Sequence, residues 1–324
     1  MNINDIQNKP KKVTPFKSAL QLAQSYAVAR ILKAQRDQIE EINRKKRQQE
    51  RSPIQIDELC KKCVNRLQEK LNNASQSDKR IELEVELVEL KKHMEILIYS
   101  FKTASIIVNY KTEYVAIMFA AIKSMLDEFD FLSDSSVTSN DAHIKESYGD
   151  TGYSELRQVN LLYHTIHVFK AGVDRIAPRG EVIEQGYKDS LMASLLHDFG
   201  KSEKVKVAVG QYYHRGSIPA AHFDVSELYV NLILKRQLTE MFVDIAKRNR
   251  DVWQAKQDFE DIMKDIATLV KNHHCPIGAK QDSDHVDFVR QADYIARRGE
   301  LEWIRKHSGA SQVKSYDGII DYFN

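Results

Sequence analysis

Leu83, Leu87, Leu90, Met94, Leu97 and Phe101 recur at alternating four- and three-residue spacing. That rhythm draws one apolar stripe down a helix and does not suit a strand, whose side chains alternate with period two. The pattern continues through Tyr110 and Tyr114 into residues 117–126. Leu59, Cys63, Leu67 and Leu71 mark a second helix. Val28, Leu32, Gln35, Ile39 and Ile42 mark a third, within residues 16–49. Turn formers are sparse, with 12 Gly and 6 Pro in 324 residues. The expected fold class is therefore all-α.

Residues 133–154 are rich in Ser, Asp, Asn and Gly and poor in apolar side chains, the composition of a connecting segment. The expected organisation is an N-terminal helical bundle or coiled-coil arm over residues 1–135, with residues 1–15 a flexible tail. A linker follows over 136–155, then a second helical domain over 156–324. The heptad stripes could equally pair two copies of the chain as a homodimer. Residues 1–51 hold 12 Lys and Arg against 5 Asp and Glu. This local excess suits either a solvated helix face or a nucleic-acid contact. The whole chain carries a net charge of only +2, which points to no polyanionic partner.

Three cysteines provide no disulfide framework and fit a reducing compartment. Cys60 and Cys63 form a lone CxxC with no second ligand pair nearby, and read as one buried and one exposed thiol on a helix. Residues 1–12 are polar, with no apolar signal core. The greasiest region, residues 94–126, is broken by Lys102, Lys111, Glu113 and Lys123, which makes it a poor membrane span. A cytoplasmic location is expected, with no membrane partner.

Chemistry gathers around Leu195, Leu196, His197, Asp198, Phe199, Gly200 and Lys201. The apolar run before His197 reads as a buried helix, and Gly200 as its left-handed stop. Adjacent residues on a helix do not share a face, so His197 and Asp198 can reach one metal only where the turn unwinds. Imidazole and carboxylate together suit a borderline divalent ion. Further candidates sit on other helix-like segments. His164 shares a face with Leu161 and Val168. His222 follows Pro219 at a helix start. His273 and His274 end an apolar helix before Pro276. Asp293 lies inside an amphipathic helix beside Val289, Ala292 and Ala296. A buried carboxylate there needs a partner or a metal.

The order His164, His197 with Asp198, His222, His273 or His274, and Asp293 resembles the HD superfamily of metal-dependent phosphohydrolases. The resemblance covers roughly residues 156–300. It rests on LLHDFGK, on HTIHV as the His-x-x-x-Val start, and on QADYIAR as the closing segment. It implies two divalent metals (Mn, Fe, Ni, Co, Mg or Zn) with Asp198 bridging. It also implies hydrolysis of a nucleotide or related phosphate ester. Two ions about 3.5–4 Å apart can clamp the attacking and leaving oxygens of a phosphoryl displacement. Lys201 is expected near the mouth as an electrostatic helper to the substrate, with Arg215 and His167 as further substrate contacts and His214, Arg297 and Arg298 behind them.

The HHExxDGxGYP signature of the cyclic-dinucleotide branch is missing, because CPIGAKQD follows His274. The HNxxH of cyclic-nucleotide phosphodiesterases and the HHHxxxGG of HD relaxases are missing too. The same ligand order also serves di-iron oxygenases, and a non-catalytic HD module or a relaxase-like nuclease are further alternatives.

Overall fold

The structure is a computed structural model that describes residues 55–138, 142–179, 183–214, 216–239 and 252–307. Among them there is no strand, and the all-α class holds; a single antiparallel bridge joins Ser135 and Asn160. The helices are α1 (55–72), α2 (Ser77–Ile107), α3 (Thr112–Lys123), α4 (Ala142–Leu156), α5 (Leu161–Ile176) and α6 (Gln185–Leu196). They continue with α7 (Glu203–Tyr212), α8 (His222–Leu228), α9 (Val252–Asn272) and α10 (Asp284–His307). Wide π-turns extend α3 over Ser124–Glu128 and α8 over Tyr229–Leu234. No helix among the described residues is long and apolar enough to cross a membrane.

α5 and α6 lie side by side, with α10 against both and α9 against α6. α2 packs on α5. One main hydrophobic core runs from Ile56 on α1 to Ile304 on α10, inside a compact unit spanning residues 51–324. The boundary expected at 136–155 therefore divides no core: the apolar stripe of α2 is buried within the same core as the helices that follow. Part of the expected linker is itself helical, as α4. Its anchor is Leu156, buried with Val137 and Leu301, and the Tyr153 hydroxyl donates to the Thr138 carbonyl at 3.0 Å.

Two local expectations change as well. The apolar pattern through Tyr110 is broken after Ile107, where Asn109 and Tyr110 take φ of 54° and 50°. The Tyr110 amide then donates to the Ser105 carbonyl at 2.8 Å, satisfying an end of α2 that would otherwise lack a partner. Cys60 and Cys63 are both buried, not one of them, because residues three apart share a helix face. Burial pushes the Cys60 thiol up to about 12, which leaves it inert rather than nucleophilic. The stripe over Val28–Ile42, the basic N-terminal segment with its proposed nucleic-acid contact, the tail, and residues 308–324 lie outside the described residues.

Gly200 does not act as a left-handed stop. α6 ends at Leu196, and Phe199–Lys201 form a 3-10 turn. Among the described glycines only Gly149, Gly216 and Gly278 have positive φ. Gly200 is needed for space instead. A Cβ there would run into the backbone carbonyl of His222 and come within 2.8 Å of the Ser226 amide nitrogen. The Gly200 amide also donates to Ser226 Oγ at 2.7 Å. The 3-10 turn and the start of α8 thus touch backbone to backbone. Gly200→Ala is expected to force them apart and cost about 1–3 kcal/mol or more, read as a lower denaturant midpoint.

Candidate metal centre

Most of the metal-ligand candidates sit where a helix begins or ends. Asn160 caps α5 by accepting from the Tyr163 amide at 2.8 Å, which places His164 in the first turn. At the end of α6, His197 keeps helical angles while Asp198 has relaxed to φ −106°, ψ 8°. The unwinding lets neighbours in sequence face one point. His222 is the first residue of α8, and His273 and His274 follow the last residue of α9. Asp293, Arg297 and Glu300 lie on one face of α10, at i, i+4 and i+7 spacing.

These residues converge. His164 Nε2 is 3.1 Å from Asp293 Oδ1 and 3.3 Å from Asp198 Oδ2. His197 Nε2 is 3.3 Å from Asp198 Oδ2 and 3.9 Å from Asp293 Oδ1. The other Asp198 oxygen, Oδ1, lies 3.2 Å from His222 Nε2, and His222 Nε2 lies 3.1 Å from His274 Nε2. Two donor groups result: His164, His197 and Asp198, and His222, His273 and His274, each with ligand atoms within 4.8 Å of one another. Asp198 stands between them, one oxygen towards each. Both histidines of the His273–His274 pair enter the second group.

The orientation of the rings carries further information. His197 Nδ1 donates to the Ser194 carbonyl at 3.0 Å and His273 Nδ1 to the Val270 carbonyl at 2.6 Å. His164 Nδ1 donates to Glu300 Oε1 at 2.9 Å. Each ring is thereby fixed with its Nε2 turned to the centre. The Nε2 atoms of His164, His197 and His273, both Asp198 oxygens and Asp293 Oδ1 are buried, and none makes a hydrogen bond of normal geometry. Buried polar atoms in this state need a partner from outside the chain, a water or an ion, and here they all point at one centre.

Charge agrees with that reading. Burial alone would raise Asp198, but His197, Lys201 and His164 outweigh it and hold its carboxyl well below the ordinary range. Burial likewise opposes ionisation of Asp293, yet His164 and Arg297 keep it anionic. His273 is driven down to about 3 by burial and by its neighbours His197 and His222, so its lone pair is open. Burial and Arg297 disfavour a charged His164, but Glu300, Asp198 and Asp293 prevail and lift it to about 10. The three carboxylates Asp198, Asp293 and Glu300 are thus balanced by Lys201, Arg297 and a protonated His164. Nitrogen and oxygen donors without thiolate fit Mn, Fe, Co, Ni or Zn.

The expected substrate contacts lie elsewhere than the sequence reading put them. Lys201 is buried, not at a mouth: the 3-10 turn folds it back so that Nζ lies 2.9 Å from Asp198 Oδ2 and donates to the Ser136 carbonyl at 3.0 Å. His167 is also buried, one turn along α5, with Nδ1 donating to Glu300 at 2.9 Å on the far side of His164. Arg215 lies outside the described residues. Arg297, ranked low on sequence, is central. It donates to Ser136 Oγ and O at 2.8 Å each and lies 3.6 Å from both Asp198 and Asp293. Glu300 went unnoticed, although its seven-residue spacing from Asp293 was a usable signal. Ser136 and His93 gave none, since both reach the site only through tertiary packing.

No protein-family model, curated protein or solved structure matches the chain in comparisons with known proteins. The site therefore has to be read from its own geometry.

Because a bound divalent ion must displace the proton that the carboxylates hold on His164, its apparent affinity is expected to rise with pH. Protonated His164 competes at every pH below about 10, so the gain is roughly tenfold per pH unit between pH 6 and 8 for one released proton. Calorimetric titration with Mn²⁺ in buffers of different ionisation heat would count that proton.

Proposed function

We propose that the chain is an HD-type metal-dependent phosphohydrolase acting on a nucleotide or related phosphate ester through two divalent ions. The observation that supports this most is Asp198, a buried carboxylate with one oxygen towards each of two histidine groups. Seven candidate protein ligands exceed the three that a single catalytic metal usually takes. The ordered set His164, His197, Asp198, His222, the His273–His274 pair and Asp293 is also the order of the HD family.

When bound, such ions supply Lewis acidity and a water acidified towards neutral pH. The chain's own residues do the rest. His164, His197 and Asp293 would hold one ion, His222, His273 and His274 the other, and Asp198 both. Lys201 and Arg297 keep Asp198 ionised and aimed from behind, and Ser136 ties these two cations together. His274 and Asp293 are the less buried members, Asp293 with 19% of its side chain exposed, so the substrate approaches from their side. Residues there, rather than Lys201, would meet the phosphate.

Purified protein supplied separately with Mn, Co, Ni, Mg and Fe is expected to cleave members of a panel of nucleotides and phosphodiesters. Asp198→Ala should lose both ions and all turnover. Asp198→Asn should fail as well, since a neutral amide cannot bridge two cations. Lys201→Ala should fold but bind metal about 10–100-fold more weakly, the usual cost of losing a group that orients a ligand. Full turnover with Asp198→Ala, or no cleavage across the panel with any of these metals, overturns the proposal. Iron-dependent oxygen uptake without hydrolysis would install an oxygenase in its place.

A further inference from the structure

Behind His164 runs a buried chain of polar groups that no step above uses. Glu300 Oε1 accepts from His164 Nδ1 and from His167 Nδ1, both at 2.9 Å. His167 Nε2 then lies 3.0 Å from His93 Nε2. His93 Nδ1 lies 2.8 Å from the Glu89 carbonyl, one turn back on α2. The His93 ring is stacked on Tyr163, 3.7 Å between centroids. All three side chains are buried: His93 and His167 fully, and Glu300 with them.

Protons can be counted along this chain. The Glu89 carbonyl only accepts, so His93 Nδ1 carries a hydrogen. Glu300 is held anionic by His164, His167 and Arg297 against the cost of burial, so His167 Nδ1 carries one as well. Two Nε2 atoms 3.0 Å apart cannot both present lone pairs, so one of them is protonated too. One of the two Nε2 atoms therefore donates to the other. The carboxylate of Glu300 adjoins His167, whereas His93 faces a carbonyl, a tyrosine ring and the apolar core. Burial and the neighbouring His167 depress His93 to about 3, which makes His93 the acceptor of the pair. The remaining charged groups nearby are the Glu89 carboxylate with Lys92 on α2, 3.8 Å apart, and Arg297 on α10, 3.4 Å from Glu300 Oε2.

We propose that His93 is a positioning residue of the metal centre: by accepting a hydrogen bond from the buried His167 ring, it fixes Glu300 and hence the His164 ligand. This extends the metal-centre reading and depends on it. The relay makes α2 a working part of the site, through His93 and the Glu89 carbonyl that holds its ring. Without His93, the hydrogen bond that orients the His167 ring is lost. Glu300 then loses an oriented donor within its own hydrogen-bond shell, and the ring it aims is freed.

The test uses the full chain. ¹⁵N histidine spectra of the metal-free protein should show a coupling across the Nε2–Nε2 hydrogen bond between His167 and His93. Absence of that coupling would overturn the relay, and this readout needs no metal. Mn²⁺ and Zn²⁺ dissociation constants give the second arm. His93→Phe keeps an aromatic ring for Tyr163 but accepts no hydrogen bond, and should weaken binding about tenfold. His93→Gln, whose amide oxygen can accept from His167, should restore most of that loss. Equal affinity in wild type and His93→Phe defeats the proposal. A wild-type protein that binds neither ion defeats the metal-centre reading instead, and the spectra still decide whether His167 donates to His93.

Discussion

Taking a carboxylate out of water costs several kcal/mol unless opposite charge and hydrogen bonds replace the lost solvation. Asp198 meets that cost only in part. Lys201 and Arg297 supply charge from behind, at 2.9 Å and 3.6 Å, while both its oxygens stay without a normal hydrogen bond on the side that faces the histidines. Most of the helix packing around α5 and α6 can be understood as the means of holding this one group in place. α6 must stop at Leu196 so that Asp198 can turn inward. The 3-10 turn must follow so that Lys201 can fold back on it. Gly200 must lack a side chain so that α8 can bring His222 to its other oxygen.

The second ring of contacts spreads this demand across the chain. Ser136 accepts from Lys201 and Arg297 together, and so pins the segment after α3 to the turn after α6 and to α10. Glu300 joins α10 to two histidines of α5, and His93 joins α5 to α2. The centre and the fold are therefore hard to separate. The same buried polar groups that could bind an ion also specify how four helices meet, and each is satisfied only when the others are in register.

What was legible in the sequence follows from this arrangement. The helical class could be read because heptad spacing and scarce Gly and Pro are local properties. The candidate residues could be picked out because they lie on short motifs, and the structure brings all seven together. Features set by tertiary contact were not legible. Leu156 looks like a stray apolar residue in a polar stretch until Leu301 packs on it. His93 sits on the core side of a strong heptad stripe and gives no local sign of a partner on α5. Lys201 looked like a helix-end lysine bound for solvent, and only the 3-10 geometry turns it inward. Gly200 was rightly singled out for the wrong reason, since no local pattern announces that another backbone will pass so close.

The placement of the acidic groups on α10 has a consequence for how the chain is made. Synthesis runs from the N-terminus at about 5–20 residues per second, so His93, His164, His167 and the His197–Asp198 pair all leave the ribosome before Asp293 and Glu300. For several seconds the nascent helices α2, α5 and α6 carry these histidines with Asp198 but without Asp293 and Glu300 to receive them. In that interval the apolar faces can meet, but the polar centre cannot close. Closure of the polar centre therefore waits for α10, which brings Asp293, Arg297 and Glu300 to it.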